Sequence, residues 1–137
     1  MKIPWRALGR WPLGLLFCVS GVGHFAVTAT YMKMMPPELP AHREQVLLSG
    51  AAELFFGVLF FSPAHEAFAA WGLIALLLAI FPANIQLVRS AGTAASPFPD
   101  LTPFWAMARL PLQAVMIGWA YLYTRPKTQA LSRPDGV

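Results

Sequence analysis

The chain has 137 residues, 57% of them hydrophobic and 12% charged, about half the charged share of a soluble domain, which excludes an ordinary water-soluble surface and points to a membrane chain. Its net charge of +4 comes from basic residues gathered mainly at the two ends and not from a stripe with interleaved aromatics, so the expected partner is the lipid bilayer and not nucleic acid. Cysteine occurs once, at Cys18, which excludes an intrachain disulfide and a Cys-x-x-Cys redox pair.

Lys2, Arg6 and Arg10 precede an apolar run from Trp11 to Thr30. The basic start, the core LGLLFCV and the small residues near Ala26 to Ala29 imitate a secretory signal, but three further spans make a retained first span the more economical reading. Tyr31 to Arg43, YMKMMPPELPAHR, holds three prolines and mixed charge, so an extended loop is predicted. Met32, Met34 and Met35 lack a His or Cys cluster beside them, and loop packing explains them better than copper.

From Glu44 to Phe61 the chain is apolar again, with Glu53 near the middle. Ser62-Pro63 reads as an N-cap followed by proline at the first helical position, opening a third helix to about Arg89. Pro82 lies late in that helix, where its missing N–H should leave the Leu78 carbonyl unpaired and bend the axis. Ser90 to Pro103 is loop by composition, and Thr102-Pro103 repeats the cap signal before the run WAMARLPLQAVMIGWAYLY, Trp105 to Tyr123. The prediction is an all-α fold: a four-transmembrane-helix bundle forming one domain over 1–137, with spans near 11–30, 44–61, 64–89 and 103–124 and a polar tail at 125–137.

Six basic residues (Lys2, Arg6, Arg10, Arg125, Lys127, Arg133) flank the termini, against three (Lys33, Arg43, Arg89) beside the two longer loops. That asymmetry predicts both termini in the cytoplasm. Trp11, Trp105, Trp119, Tyr121 and Tyr123 lie near span ends, as an interfacial aromatic belt requires.

Arg109 stays charged at any accessible pH, and a charge at a helix centre within lipid costs about 2.5–3.5 kcal/mol even on the lenient insertion scale. It therefore needs partners. Gln113 lies one turn along on the same face. At roughly 1.5 Å per residue, His24, Asn84 and Arg109 all fall about 8–9 Å inside the outer end, and Glu53 and Gln113 about a turn lower. The inward half contributes almost no polar residue. His24, Glu53, Asn84, Arg109 and Gln113 are therefore expected to face one another as a ligand-binding site, with Arg109 near Glu53. His24 and Glu53 are the candidate proton carriers, because a neutral imidazole both donates and accepts. Arg109→Lys should be harmful, since a point charge does not reproduce the planar fork. The plain alternative is a hydrogen-bond cluster that glues the helices. Ser49 and Gly57 flank Glu53 on one stripe and permit close approach of a neighbouring helix. No dinucleotide, Walker, His-Glu-x-x-His or nucleophile-elbow motif occurs, so nucleotide-driven work and hydrolysis are unsupported.

GVGHF at 21–25, MMPPELP at 34–40, SGAAE at 49–53, FPANI at 81–85 and RLPLQ at 109–113 resemble the DoxX-like membrane proteins, over about residues 12–123. The resemblance implies a four-helix bundle in the bacterial inner membrane. It also implies links to thiosulfate:quinone oxidoreduction, to redox-protection complexes or, in animal relatives, to receptor chaperoning. The functional expectation is a small-molecule site in the outer half of the bundle serving a membrane redox process, with a quinone-like or small anionic ligand. A membrane redox partner or homo-oligomer would accompany it. No metal site is expected, and any redox centre must come from a ligand or partner. The rival expectation is a non-enzymatic scaffold or chaperone.

Overall fold

The computed structural model describes residues 5–125. Among them are five helices and no strand: α1 Trp5–Ala26, α2 Thr28–Lys33, α3 His42–Phe60, α4 Glu66–Ser90 and α5 Pro103–Tyr121. The expected tail lies beyond Arg125 and, with Lys2, Lys127 and Arg133, falls outside the described residues.

The long helices follow their sequence signals to within a few residues, with three corrections. First, α1 starts at Trp5 rather than Trp11 and runs through Pro12. Proline is favoured near a helix start, which makes this one read as a beginning although the chain is already helical. Second, the first turn of the expected loop is helical: α2 carries the chain to Lys33, and order breaks down only as the prolines at 36, 37 and 40 approach. The residue before a proline is pushed out of the helical region. Third, Ser62-Pro63 forms a turn instead of capping α4. The Ser62 Oγ lies 3.0 Å from the Nδ1 of His65, and α4 opens at Glu66. Thr102-Pro103 does open α5 as read, with Thr102 extended and Pro103 in the first turn.

The four long helices run antiparallel in sequence, α1 against α3, α3 against α4 and α4 against α5. The first pair is the tightest because glycines remove the side chains between the backbones. A Cβ on Gly21 would stand 2.8 Å from the Gly50 carbonyl oxygen, and one on Gly57 would stand 2.9 Å from the Cys18 sulfur. The stripe containing Gly57 is therefore a packing stripe, as its spacing predicts. By contrast, α1 and α5 are not packed along their lengths.

At one end of the bundle the core closes around Leu13, Phe17, Phe60, Leu73 and Tyr123. Tyr123, expected at an interface, is fully buried and packs edge-on against Phe60 at 5.0 Å. The outer surface is apolar: Leu15, Val19, Leu48, Phe55, Phe68 and Val115 are among many large side chains left exposed. Among the described helices, α4 alone is long and apolar enough by itself to cross a membrane, with a mean hydropathy of 2.0 over its most apolar window.

The end of the bundle expected to be nearly free of polar side chains holds a buried ion cluster. Glu66, 2% exposed, is met by Arg6 at 2.9 Å and Arg10 at 3.3 Å. Arg6 also lies over the Tyr123 ring, and the Tyr123 hydroxyl donates to the Arg6 carbonyl at 3.0 Å. Two of the basic residues read as flanks of the terminus thus point inward, because the helical start at Trp5 places them on the face that meets Glu66 at the start of α4.

Candidate functional site

A cavity of about 490 Å³ occupies the opposite end of the bundle, and His24, Glu53, Asn84, Arg109 and Gln113 all line it. That volume lies within the range of about 300–1,000 Å³ usual for small-ligand pockets. Each long helix supplies at least one of the five, α1 through His24, α3 through Glu53, α4 through Asn84 and α5 through Arg109 and Gln113.

His24 is held on three sides. Its Nδ1 lies 3.0 Å from the Val46 carbonyl oxygen and 3.0 Å from the Ser49 hydroxyl, and its ring stacks against Tyr31 with centroids 4.1 Å apart. A carbonyl only accepts, so Nδ1 carries a hydrogen. Nε2 is then left to face Glu53, whose Oε1 stands 3.6 Å away. One proton placed on either partner makes these two groups complementary, as an imidazolium beside a carboxylate or an imidazole beside a carboxylic acid. Tyr31 comes from α2, in the segment expected to be loop, and composition alone gave no sign that it would reach His24.

Glu53 is 2% exposed. Its second oxygen, Oε2, is buried and has no hydrogen-bond partner. The expected neighbour, Arg109, is not the one found: the basic side chain closest to Glu53 is His24. Arg109 is exposed and lines the cavity at its rim. α1 and α3 are drawn together by their glycines, so Glu53 meets the side chain on α1 before one on α5.

Asn84 and Gln113 pair directly. The Asn84 amide donates to the Gln113 Oε1 at 2.8 Å, and the Gln113 amide donates onward to the Leu77 carbonyl. The side-chain amide thus reaches the α4 backbone one residue before the Leu78 carbonyl that Pro82 was expected to leave unpaired. Met34 is buried and lines the cavity with Met35. Among the described residues, no three His, Cys, Asp or Glu side chains gather as a metal site requires.

The cavity is graded along its length. Its polar side chains sit toward the end where α1 finishes, while Leu16, Phe17, Val115, Met116 and Trp119 line the part nearer the closed core. Such a cavity can accept a molecule with one polar and one apolar end.

No curated protein matches the chain, and no solved structure does. A family model described as a domain of unknown function, DUF8561, matches residues 13–124. That range includes every side chain lining the cavity and stops short of Arg6 and Arg10. The chain belongs to the DUF8561 family.

Proposed function

We propose that the chain is a multi-pass membrane protein whose α1, α3, α4 and α5 each cross the bilayer, and that its cavity is a small-molecule site. The observation carrying the site is that the five polar side chains dispersed through the sequence converge on one cavity. Support for the membrane comes from the surface: a soluble monomer rarely exposes large contiguous apolar patches, whereas this one is apolar around its circumference. The helices have 22, 19, 25 and 19 residues, roughly 28 to 38 Å at 1.5 Å per residue, against a hydrocarbon core of about 30 Å. The three other than α4 carry charged side chains that lower their hydropathy, among them Arg6, Arg10, Glu53 and Arg109. The first three of these side chains turn into the bundle, where their cost is offset by partners. Excess basic residues at the ends support cytoplasmic termini, and the resemblance to DoxX-like proteins supports a bacterial inner membrane. A reporter fused after Arg125 should be active on the cytoplasmic face; activity only on the outer face overturns the topology.

The same resemblance supports a quinone-linked redox process. A quinone would supply the two-electron chemistry that a chain with a single cysteine lacks. The fit is better for its hydroxyl-bearing form, because the Glu53 Oε2 accepts a hydrogen as a carboxylate and donates only when it holds a proton. Glu53 and His24 would take up or return that proton.

Mass spectrometry of the gently purified protein should find a co-purifying small molecule that is lost in Glu53→Ala and weakened in Arg109→Ala. A ligand-free wild type would favour the scaffold reading, for which the direct Asn84–Gln113 hydrogen bond between α4 and α5 is the supporting observation.

A further inference from the structure

We propose that the unpacked seam between α1 and α5 is a lateral opening through which a single-chain amphiphile with a hydroxyl head enters the cavity from the bilayer. The proposal rests on the small-molecule reading of the cavity and adds the class of ligand and its route.

Three independent features support it. The first is the seam itself: α1 packs along α3 and α5 along α4, whereas α1 and α5 make no extensive backbone contact and meet through side chains toward the closed core, where Trp119 stands beside Gly9. Leu16 on α1 and Leu112 and Val115 on α5 line the cavity, yet are 46%, 57% and 62% exposed. A side chain that faces both a cavity and the outside lies on the edge of an opening. In a membrane that opening faces hydrocarbon, so the route suits an apolar chain.

The second feature is the inner wall. Glu53 is buried with the Ser20 side chain beside its carboxyl group, and its Oε2 makes no close hydrogen bond. Asn84 and Gln113 each spend one of their two amide hydrogens on a fixed acceptor, which leaves each a second N–H and leaves the Asn84 Oδ1 as an acceptor. An unpaired buried acceptor beside spare donors suits a ligand head that both donates and accepts, such as a hydroxyl. A buried acceptor left unpaired is unfavourable by the desolvation of that group, and the incoming donor removes the penalty.

The third feature is the direction of the gradient. The head site lies toward the end where α1 finishes, and the apolar lining runs from there toward the middle of the bundle. With cytoplasmic termini this is the orientation of an amphiphile in the outer leaflet, whose head and chain would keep their depths on moving sideways into the seam.

The test uses the full chain reconstituted in phosphatidylcholine vesicles with two photoreactive probes, a hexadecanol with a mid-chain diazirine and a water-soluble diazirine butanol. Peptide mapping after illumination should place the hexadecanol label on the cavity-lining Phe17 and Met116 in preference to Phe68 and Trp71, which are exposed on α4. Val115→Trp and Leu112→Trp, both at exposed positions, should narrow the seam and reduce that interior label roughly tenfold, the change expected for about 1.4 kcal/mol of weakened binding. Unchanged interior labelling in both variants overturns the lateral route. If butanol labels the interior while hexadecanol labels only the outer surface, the cavity remains a small-molecule site and the amphiphile proposal is lost. If neither probe labels the interior, both readings fail together.

Discussion

Arg10 on α1 reaches Glu66 at the start of α4, Nη1 to Oε2 at 3.3 Å, with both side chains buried. Arg6 approaches the other carboxylate oxygen. One acid therefore neutralises two cations, and the two sides of the cluster are not equivalent. Glu66→Leu leaves two guanidinium groups facing each other and should destabilise the protein by about 3–5 kcal/mol. Arg10→Met leaves Glu66 with Arg6 and should be the milder change. Thermal unfolding in detergent measures both; equal losses would contradict the shared-acid arrangement.

The α1–α3 contact predicts opposite outcomes for two glycine replacements. A Cβ at Gly50 would stand 2.5 Å from the Cβ of His24 and 3.1 Å from the Gly21 carbonyl oxygen, while one at Gly118 meets nothing within 4 Å. Gly50→Ala should therefore destabilise by about 1–3 kcal/mol through overpacking and should also disturb His24. Gly118→Ala should stabilise by up to about 1 kcal/mol through helix propensity. Unfolding midpoints of the two variants provide the comparison.

How much of this was legible beforehand depended on whether a property belongs to one helix or to a pair. Helix positions, the Thr102-Pro103 start of α5 and the convergence of the five polar residues at one level of the bundle each follow from local composition and helical rise. Which residue faces Glu53 depends on interhelix distance. Arg109 carries the stronger charge, but the glycines at 14, 21, 50 and 57 bring α1 closer, and His24 takes the position. Arg6 and Arg10 were missed for a related reason. A basic residue before an apolar run ordinarily marks the water side, and only the upstream start of α1 turns these two inward.

Asn84 and Gln113 offer a direct measure of coupling between α4 and α5. A double-mutant cycle of Asn84→Ala and Gln113→Ala should yield about 0.6 kcal/mol, with about 1.7 kcal/mol as the upper range for such pairs. A coupling indistinguishable from zero would show that the 2.8 Å contact contributes nothing to holding these helices.

Ala41, the residue before α3, has φ 53° and ψ 49°, a left-handed backbone that costs a residue with a Cβ roughly 1–2 kcal/mol. Ala41→Gly removes that cost while adding freedom to the unfolded chain. The net expectation is a gain of about 0.5–1 kcal/mol, read as a higher thermal midpoint. A decrease would indicate that the turn after Pro40 is not held in this conformation.

Arg109→Lys was expected from sequence to be harmful because a buried fork needs several partners. Its exposed position at the cavity rim reverses the stability expectation: the thermal midpoint should correspond to a change within about ±0.5 kcal/mol. Any effect should appear in ligand retention, where the planar guanidinium and the ammonium differ. Stability and mass-spectrometric ligand recovery measured on one preparation separate the two.

The tie between Arg6 and Tyr123 has a mechanical consequence for the far end of the molecule. The hydroxyl of Tyr123, two residues past the end of α5, holds the start of α1, while beside the cavity the two helices make no extensive backbone contact. α1 and α5 are thus a pair of tongs with the pivot at one tip. A small rotation at the pivot would be multiplied by the length of the arms and would change the spacing of Leu16 and Val115. Substitutions at the pivot would change what the jaws admit.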